Sequence, residues 1–223
     1  MTDPDQAGPR FPLGLVIATS LVVASSTLAA VLWARAQPAR PSAVRVVAPE
    51  IAIPLPEFAL VDQAGAPFGS ADLAGQVWVA DFVFTRCDTI CPRLSESLAW
   101  LQGELQRSGR ADVRLVSFSV DPEHDRPEVL ARYAASYQAD PARWRFLTGE
   151  RVPLWTLIRD GFKLPVDYDA RDDPARLIFH SGKLALVDRR GQVRGYFGGV
   201  EPPPEERARL LAAIDELRAE PAP

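Results

Sequence analysis

Apolar and polar positions change period several times along the chain, and each change marks an element. Val77, Trp78, Val79, Phe82, Val83 and Phe84 form an apolar run broken only by Ala80 and Asp81, the pattern of a strand buried on both faces. Beyond it the period lengthens. Leu94, Leu98, Leu101 and Leu105 recur at helical spacing, and Pro92 suits a first helical residue because its missing N–H would have no intrahelical partner there. Val113 to Val120 reads as a second buried strand, which completes a strand, helix, strand unit of the right-handed crossover kind. After the polar stretch Asp121-Pro122-Glu123-His124-Asp125, Pro127 opens a helix with Val129, Leu130, Tyr133 and Ala134 on its apolar face. Trp144 to Leu147 predicts a short strand, and Leu154 to Phe162 a helix with Trp155, Ile158 and Phe162 inward.

The flanks of this centre carry hairpin signals. Phe58 to Val61, the turn Asp62-Gln63-Ala64-Gly65 and the return Pro67-Phe68 predict an N-terminal hairpin. Leu184 to Asp188, the turn Arg190-Gly191 and Val193 to Phe197 predict another. Between them Lys163 to Arg176 is acidic and aperiodic, which points to a functional loop rather than a structural element. It runs into Leu177-Ile178-Phe179-His180-Ser181-Gly182. Pro204 to Arg218, with Leu210, Leu211, Ile214 and Leu217 on one face, predicts an amphipathic closing helix. This order of elements fits an α/β fold, a thioredoxin-like sandwich with an N-terminal β-hairpin addition.

No charged residue occurs from Leu13 to Trp33, a run about as long as the ~20 residues a bilayer-spanning helix needs. Residues 13–34 are therefore expected to be one transmembrane anchor behind an N-terminal tail, residues 1–12. A cleaved signal peptide is the rival, with Arg10 as the positive start and Ala34-Arg35-Ala36 as a cleavage site, but such signals use a shorter apolar core of roughly 7 to 15 residues. Residues 35–56, with Pro38, Pro41, Pro49, Pro54 and Pro56, read as an extended linker. The folded domain is expected over 57–218, with 219–223 a tail. Arg35, Arg40 and Arg45 follow the anchor where only Arg10 precedes it, so basic residues alone would place the domain in the cytoplasm. The net charge of -4, with arginines scattered among acids, excludes a nucleic-acid binder of the basic-patch kind.

The chemistry converges on two cysteines. Cys87 falls in the strand-to-helix loop and Cys91 at the helix N-terminus, where unpaired amides and the helix dipole should make Cys91 more acidic than a free cysteine. Spaced as C-x-x-x-C, the two sulfurs can meet on one ion or form a disulfide, and the spacing leaves both open. Two inert core cysteines rank below either, since Arg86, Asp88 and Arg93 suggest partial solvation. The remaining soft donors are His124 and His180, because the single methionine is Met1. His124 sits in a charged loop and reads as a surface residue. His180 can point across the sheet end toward the cysteines, although by position alone a structural role is the commoner one. Two thiolates with an imidazole suit copper in either oxidation state. Zinc ranks lower, since a Cys2His2 site usually staples a domain with little core. Ser117 and Ser119 lie in an apolar strand and read as packed, and no G-x-S-x-G, P-loop, G-x-G-x-x-G or H-E-x-x-H motif supports hydrolase or nucleotide chemistry.

Three blocks, ADFVFTRCDTICP, SFSVDPEHDRPEVLARYA and HSGKLALVDRRGQVRGYF, occur in an order that resembles the Sco/SenC proteins, thioredoxin-like copper-binding assembly factors for cytochrome c oxidase. The resemblance runs from about Pro56 to Phe197. It implies a copper site of Cys87, Cys91 and His180, with Asp121 nearby and able to influence binding or redox behaviour. It implies delivery of copper to the CuA centre of cytochrome c oxidase subunit II or, alternatively, reduction of that subunit's cysteines by Cys87 and Cys91 as a redox-active pair. An upstream copper donor or thiol reductant is implied as a further partner. The family also places the domain on the periplasmic side of the inner membrane, against the charge count. Where thioredoxin-like reductases keep a cis-proline, this chain reads Phe179-His180-Ser181-Gly182, which favours a metal over general disulfide exchange.

Overall fold

A computed structural model describes residues 51–168 and 178–221, and the aspartate-interrupted apolar run lies at the centre of its sheet. The strands are β1 (Ile53–Pro54), β2 (Ala59–Asp62), β3 (Pro67–Gly69), β4 (Trp78–Val83), β5 (Arg114–Ser119), β6 (Trp144–Thr148), β7 (Val166–Tyr168), β8 (Ile178–His180), β9 (Lys183–Val187) and β10 (Gln192–Gly198). The helices are α1 (Ile90–Arg107), α2 (Pro127–Ser136), α3 (Arg151–Thr156) and α4 (Pro204–Ala219). Eight strands form one sheet in the order β1-β10-β9-β4-β5-β6-β2-β3, and β7 pairs with β8 separately. β4, β5 and β6 are parallel neighbours, while β9 lies antiparallel to β4. That is the thioredoxin-like core expected from the order of elements, with the β2–β3 hairpin added at one edge.

Every residue of β4 is buried, as its unbroken apolar character requires. On one face Phe118 and Phe162 meet Trp78 and Phe82, with Phe82 and Phe162 ring centroids 5.0 Å apart. The two main hairpins are turned by the same device. Asp62 Oδ1 accepts from the amides of Ala64 and Ala66, and Asp188 Oδ1 from those of Arg190 and Gln192. Each spends its other oxygen on an arginine, Arg145 and Arg194 respectively.

Several expectations shift. The cysteine helix begins at Ile90, so Pro92 is its third residue rather than its first. A proline still costs no hydrogen bond there, since the first four amides have no intrahelical acceptor. The helix expected over 154–162 begins earlier, at Arg151, and ends in a widened turn, Leu157–Gly161. Leu211 is only partly buried, and Ala213 takes a place on the inner face of α4 beside Leu210, Ile214 and Leu217. The stretch read as an aperiodic loop from Lys163 contains β7, whose partner is β8. The folded chain also starts before residue 57, because Ile53 already pairs with Val193. Among the described residues no helix is long and apolar enough to cross a membrane, and the expected anchor, residues 13–34, lies outside them.

Candidate functional site

β4 ends at Val83 and the chain turns sharply, with the Cys87 amide donating to the Phe84 carbonyl at 3.2 Å. This puts Cys87 over the first turn of α1. The residue preceding that helix, Thr89, makes no side-chain cap; its hydroxyl lies 3.5 Å from Cys87 Sγ. The sulfur takes over the capping role, since the amide of Cys91 donates to Cys87 Sγ at 3.4 Å. Cys87 is half-buried and Cys91 fully buried, and both are thiols.

The expectation of an acidic, partly solvated Cys91 is therefore corrected. Its thiol hydrogen-bonds to Cys87, and that contact, reinforced by burial and by the charge of its neighbour, pushes its pKa far up. The donor of the helix end serves the first sulfur, not the second. Arg86, Asp88 and Arg93 are exposed as their character suggested, but Cys91, which lies among them in the sequence, is buried.

The loop after β5 braces this turn. The Val120 amide donates to the Val83 carbonyl at 2.8 Å and carries the parallel pairing one step beyond the strand. Asp121, buried, accepts on one oxygen from both Arg86 Nε at 3.0 Å and Nη2 at 2.6 Å. Asp125, also buried, accepts from the Thr85 amide at 3.1 Å, the Thr85 hydroxyl at 2.6 Å and the Ser119 hydroxyl at 2.7 Å. Burial raises the Asp125 pKa, against these donors. Asp121 thus lies beside the cysteine loop, bonded to Arg86, and His124 is exposed, as its charged surroundings suggested. The roles of Thr85 and Asp125, and the pairing of Arg86 with Asp121, are not evident from the sequence. In DPEHD nothing distinguishes the second aspartate from a solvated acid.

Under the site lies a second unforeseen group. Asp81 is fully buried in β4, opposite Ser117 of β5, and neither carboxylate oxygen has a well-formed hydrogen bond among the described residues. Burial pushes its pKa up to about 7, while the Ser117 hydroxyl and its own amide lie near enough to oppose the shift in part. Its charge is felt by Cys91. The signal was present in the sequence, as the single charge inside an apolar strand. Ser117 and Ser119 are structural, as read. Ser117 accepts from the Trp144 indole at 2.8 Å, and Ser119 serves Asp125.

His180 closes β8 opposite Val166, and its side chain lies outside what the structure describes. The chain just beyond it is placed against the cysteine helix. A Cβ at Gly182 would meet Val200 at 2.9 Å and Ile90, the first residue of α1, at 4.0 Å. Gly199 donates to the Gly182 carbonyl at 3.0 Å and itself leaves no room for a side chain against Leu94 of α1. Two successive close approaches thus bring the segment after His180 to the helix turn that carries Cys91. Among the described residues no three His, Cys, Asp or Glu side chains group to hold a metal, so the two sulfurs are the donors that the described residues supply. No peptide bond among them is cis. The large open cleft of about 870 Å³ lies elsewhere, lined by Phe58, Leu73, Trp78 and Arg189 at the opposite end of β4.

The arrangement offers one half-buried sulfur bonded to the amide of a second, buried cysteine, and both sulfurs are able to ligate a soft ion or to exchange with a disulfide. Comparison with known proteins agrees with this chemistry. The family model described as SCO1/SenC matches residues 50–215. The SCO1 protein homolog of Bacillus subtilis is 36% identical over 148 residues, 66% of this chain and 75% of that protein. A Stutzerimonas stutzeri protein named for copper binding is 33% identical over 142 residues, 64% of this chain and 68% of its own length. A solved structure of BsSco, described as having a disulfide switch and as a member of the Sco family of cytochrome c oxidase assembly proteins, has a TM-score of 0.64 at 33% identity. It covers 74% of this chain and 94% of that one.

Proposed function

The chain belongs to the SCO1/SenC family, and from that premise we propose that it binds copper as cargo and serves assembly of the CuA centre of cytochrome c oxidase subunit II. The observation that carries the reading is the seating of the two cysteines at the start of the cysteine helix, where the half-buried Cys87 sulfur accepts from the amide of the buried Cys91 at 3.4 Å. The donor chemistry fits the ion: thiolates select Cu(I), and an added imidazole extends the set toward Cu(II). Cys87 meets the incoming ion first. Cys91 must give up a firmly held proton to join it, so uptake releases protons and strengthens as pH rises. His180 is the third ligand in this reading, supported by the approach of Gly182 to Ile90, and Asp121 acts from beside the cysteine loop, where it holds Arg86.

Residues 13–34 would hold the protein in the inner membrane, with residues 35–56 spacing a periplasmic domain from it and an upstream copper donor or thiol reductant charging the site. The test is the absorption of the full-length protein after addition of Cu(II). The wild type is expected to bind about one equivalent with thiolate-to-copper charge transfer. His180→Ala should weaken binding by more than the roughly tenfold to hundredfold that follows loss of an outer partner. Unchanged affinity would remove His180 from the ligand set.

A second reading has its own support. A half-buried cysteine close beside a buried one also suits attack and resolution, and BsSco is described by a disulfide switch. In that reading the protein reduces the CuA-site cysteines of subunit II and tolerates loss of His180. Measuring the thiol state and the copper content of subunit II separately in cells carrying His180→Ala distinguishes the two.

A further inference from the structure

We propose that Asp125 is the positioning residue of the cysteine loop, a buried carboxylate that ties Thr85 to Ser119 and thereby sets Cys87 against the end of α1. The inference rests on the reading of Cys87 and Cys91 as the working pair. Parallel pairing between β4 and β5 runs through Val83 and Ser119, and the Val120 amide adds one last backbone bond to Val83. Beyond that point the chain must leave the sheet to bring Cys87 over the helix, so no ladder can hold it. Asp125 supplies the missing tie. Two of its three donors belong to Thr85, two residues before Cys87, and the third to Ser119 at the end of β5. The Ser119 oxygen in turn accepts from the Asp121 amide at 3.1 Å, so the same anchor orients the aspartate that holds Arg86.

Stability alone gives a poor reason for this arrangement. Asp125 is fully buried, and Arg86, the cation of this loop, is committed to Asp121. A well-packed apolar residue would avoid the desolvation cost of a carboxylate. What the carboxylate provides instead is geometry, because it engages both the amide and the hydroxyl of one loop residue while gripping the neighbouring strand.

The test reads the sulfurs without metal. The purified full-length protein is equilibrated with glutathione buffers, in which Cys87 and Cys91 give two electrons and two protons to one oxidised glutathione. One intramolecular disulfide and two glutathione thiols result. Asp125→Asn and Thr85→Val are expected to shift this equilibrium constant by about tenfold, or about 30 mV for a two-electron couple. Thr85→Ser, which keeps the hydroxyl donor, should stay within about threefold of the wild type. Leu217→Ala, in α4 and remote from the loop, should lower the melting temperature and leave the constant unchanged. Thr85 is half-buried, so its valine variant keeps the test readable if Asp125→Asn does not fold. Constants unshifted in folded Asp125→Asn or Thr85→Val, or an equal shift in Leu217→Ala, would overturn the assignment. A wild type that takes no copper would sink the cargo reading alone, whereas normal copper uptake with unshifted constants would sink this one alone.

Discussion

The amide of Cys91 donates to the sulfur of Cys87 at 3.4 Å, so the first cysteine caps the helix whose opening turn contains the second. The two sulfurs are consequently unequal. Cys87 is reachable from solvent, whereas Cys91 is buried and its proton is held by contact with Cys87 and by burial. Iodoacetamide at neutral pH should label Cys87 first, and in Cys87→Ser the remaining thiol should react at least about tenfold more slowly than Cys87 does in Cys91→Ser. Peptide mass spectrometry checks the order. Equal rates would contradict the burial of Cys91.

Asp81 predicts a pH dependence of stability with a definite sign. Its carboxyl titrates near pH 7 in the folded chain, raised by burial from the ordinary 3.8. Below the ordinary value both states hold the proton and the group is neutral in effect. Between the two values the unfolded chain ionises while the folded one does not, so stability falls as pH rises toward 7, and the penalty is then constant at about 4 kcal/mol. Asp81→Asn should raise the urea midpoint clearly at pH 8 and little at about pH 4. A gain of equal size at both would show that burial of the charge is not the cause.

The same residue shows where sequence reading succeeds and where it stops. The strand around Asp81 was legible because an apolar run in one period, flanked by a change to another, leaves few alternatives. The hairpins at Asp62 and Asp188 were legible because turn residues act locally. What was not legible depends on residues far apart in the chain. Thr85 and Asp125 meet only because β4 and β5 lie side by side, and no local pattern encodes that. Cys91 shows the same limit in another form: the helix end was located to within a residue or two, yet which sulfur faces its amides depends on how the loop turns. The start of β7 inside an acidic stretch reflects pairing with β8, which three residues of sequence cannot announce.

Arg110 and Asp215 join the turn after α1 to the closing helix through two parallel hydrogen bonds, of 2.7 and 2.5 Å. The guanidinium holds the Asp215 pKa below the usual carboxylate range. Its contribution is therefore present above the ordinary carboxylate pKa and is lost as pH falls through the lowered folded value. Asp215 is nearly half exposed, so screening keeps the contribution small. Arg110→Ala should lower the urea midpoint slightly at pH 7, less in about 1 M salt, and not at all once the carboxylate is protonated. A large, salt-independent loss would mean that the arginine acts through packing.

Gly199 gives the sharpest test of how the His180 segment is seated. A Cβ there would lie 2.2 Å from Leu94 Cδ1, 2.9 Å from the Gly182 carbonyl oxygen and 3.0 Å from Leu184 Cδ2. Leu94 is fully buried on the cysteine helix and cannot swing away into solvent. Gly199→Ala must therefore displace either that helix or the loop after His180, at a cost of about 1 to 3 kcal/mol for overpacking. If the loop carries the third copper ligand, affinity should fall together with stability. Gly103→Ala is the matching control, because its Cβ would meet nothing within 4 Å on the same helix. It should gain roughly 0.5 to 1 kcal/mol from helix propensity and leave copper uptake as it was. Urea denaturation and the charge-transfer band, measured on both variants, separate the effects. Weakened copper binding in Gly103→Ala, or full affinity in a destabilised Gly199→Ala, would break the link between the glycine contact and the metal site.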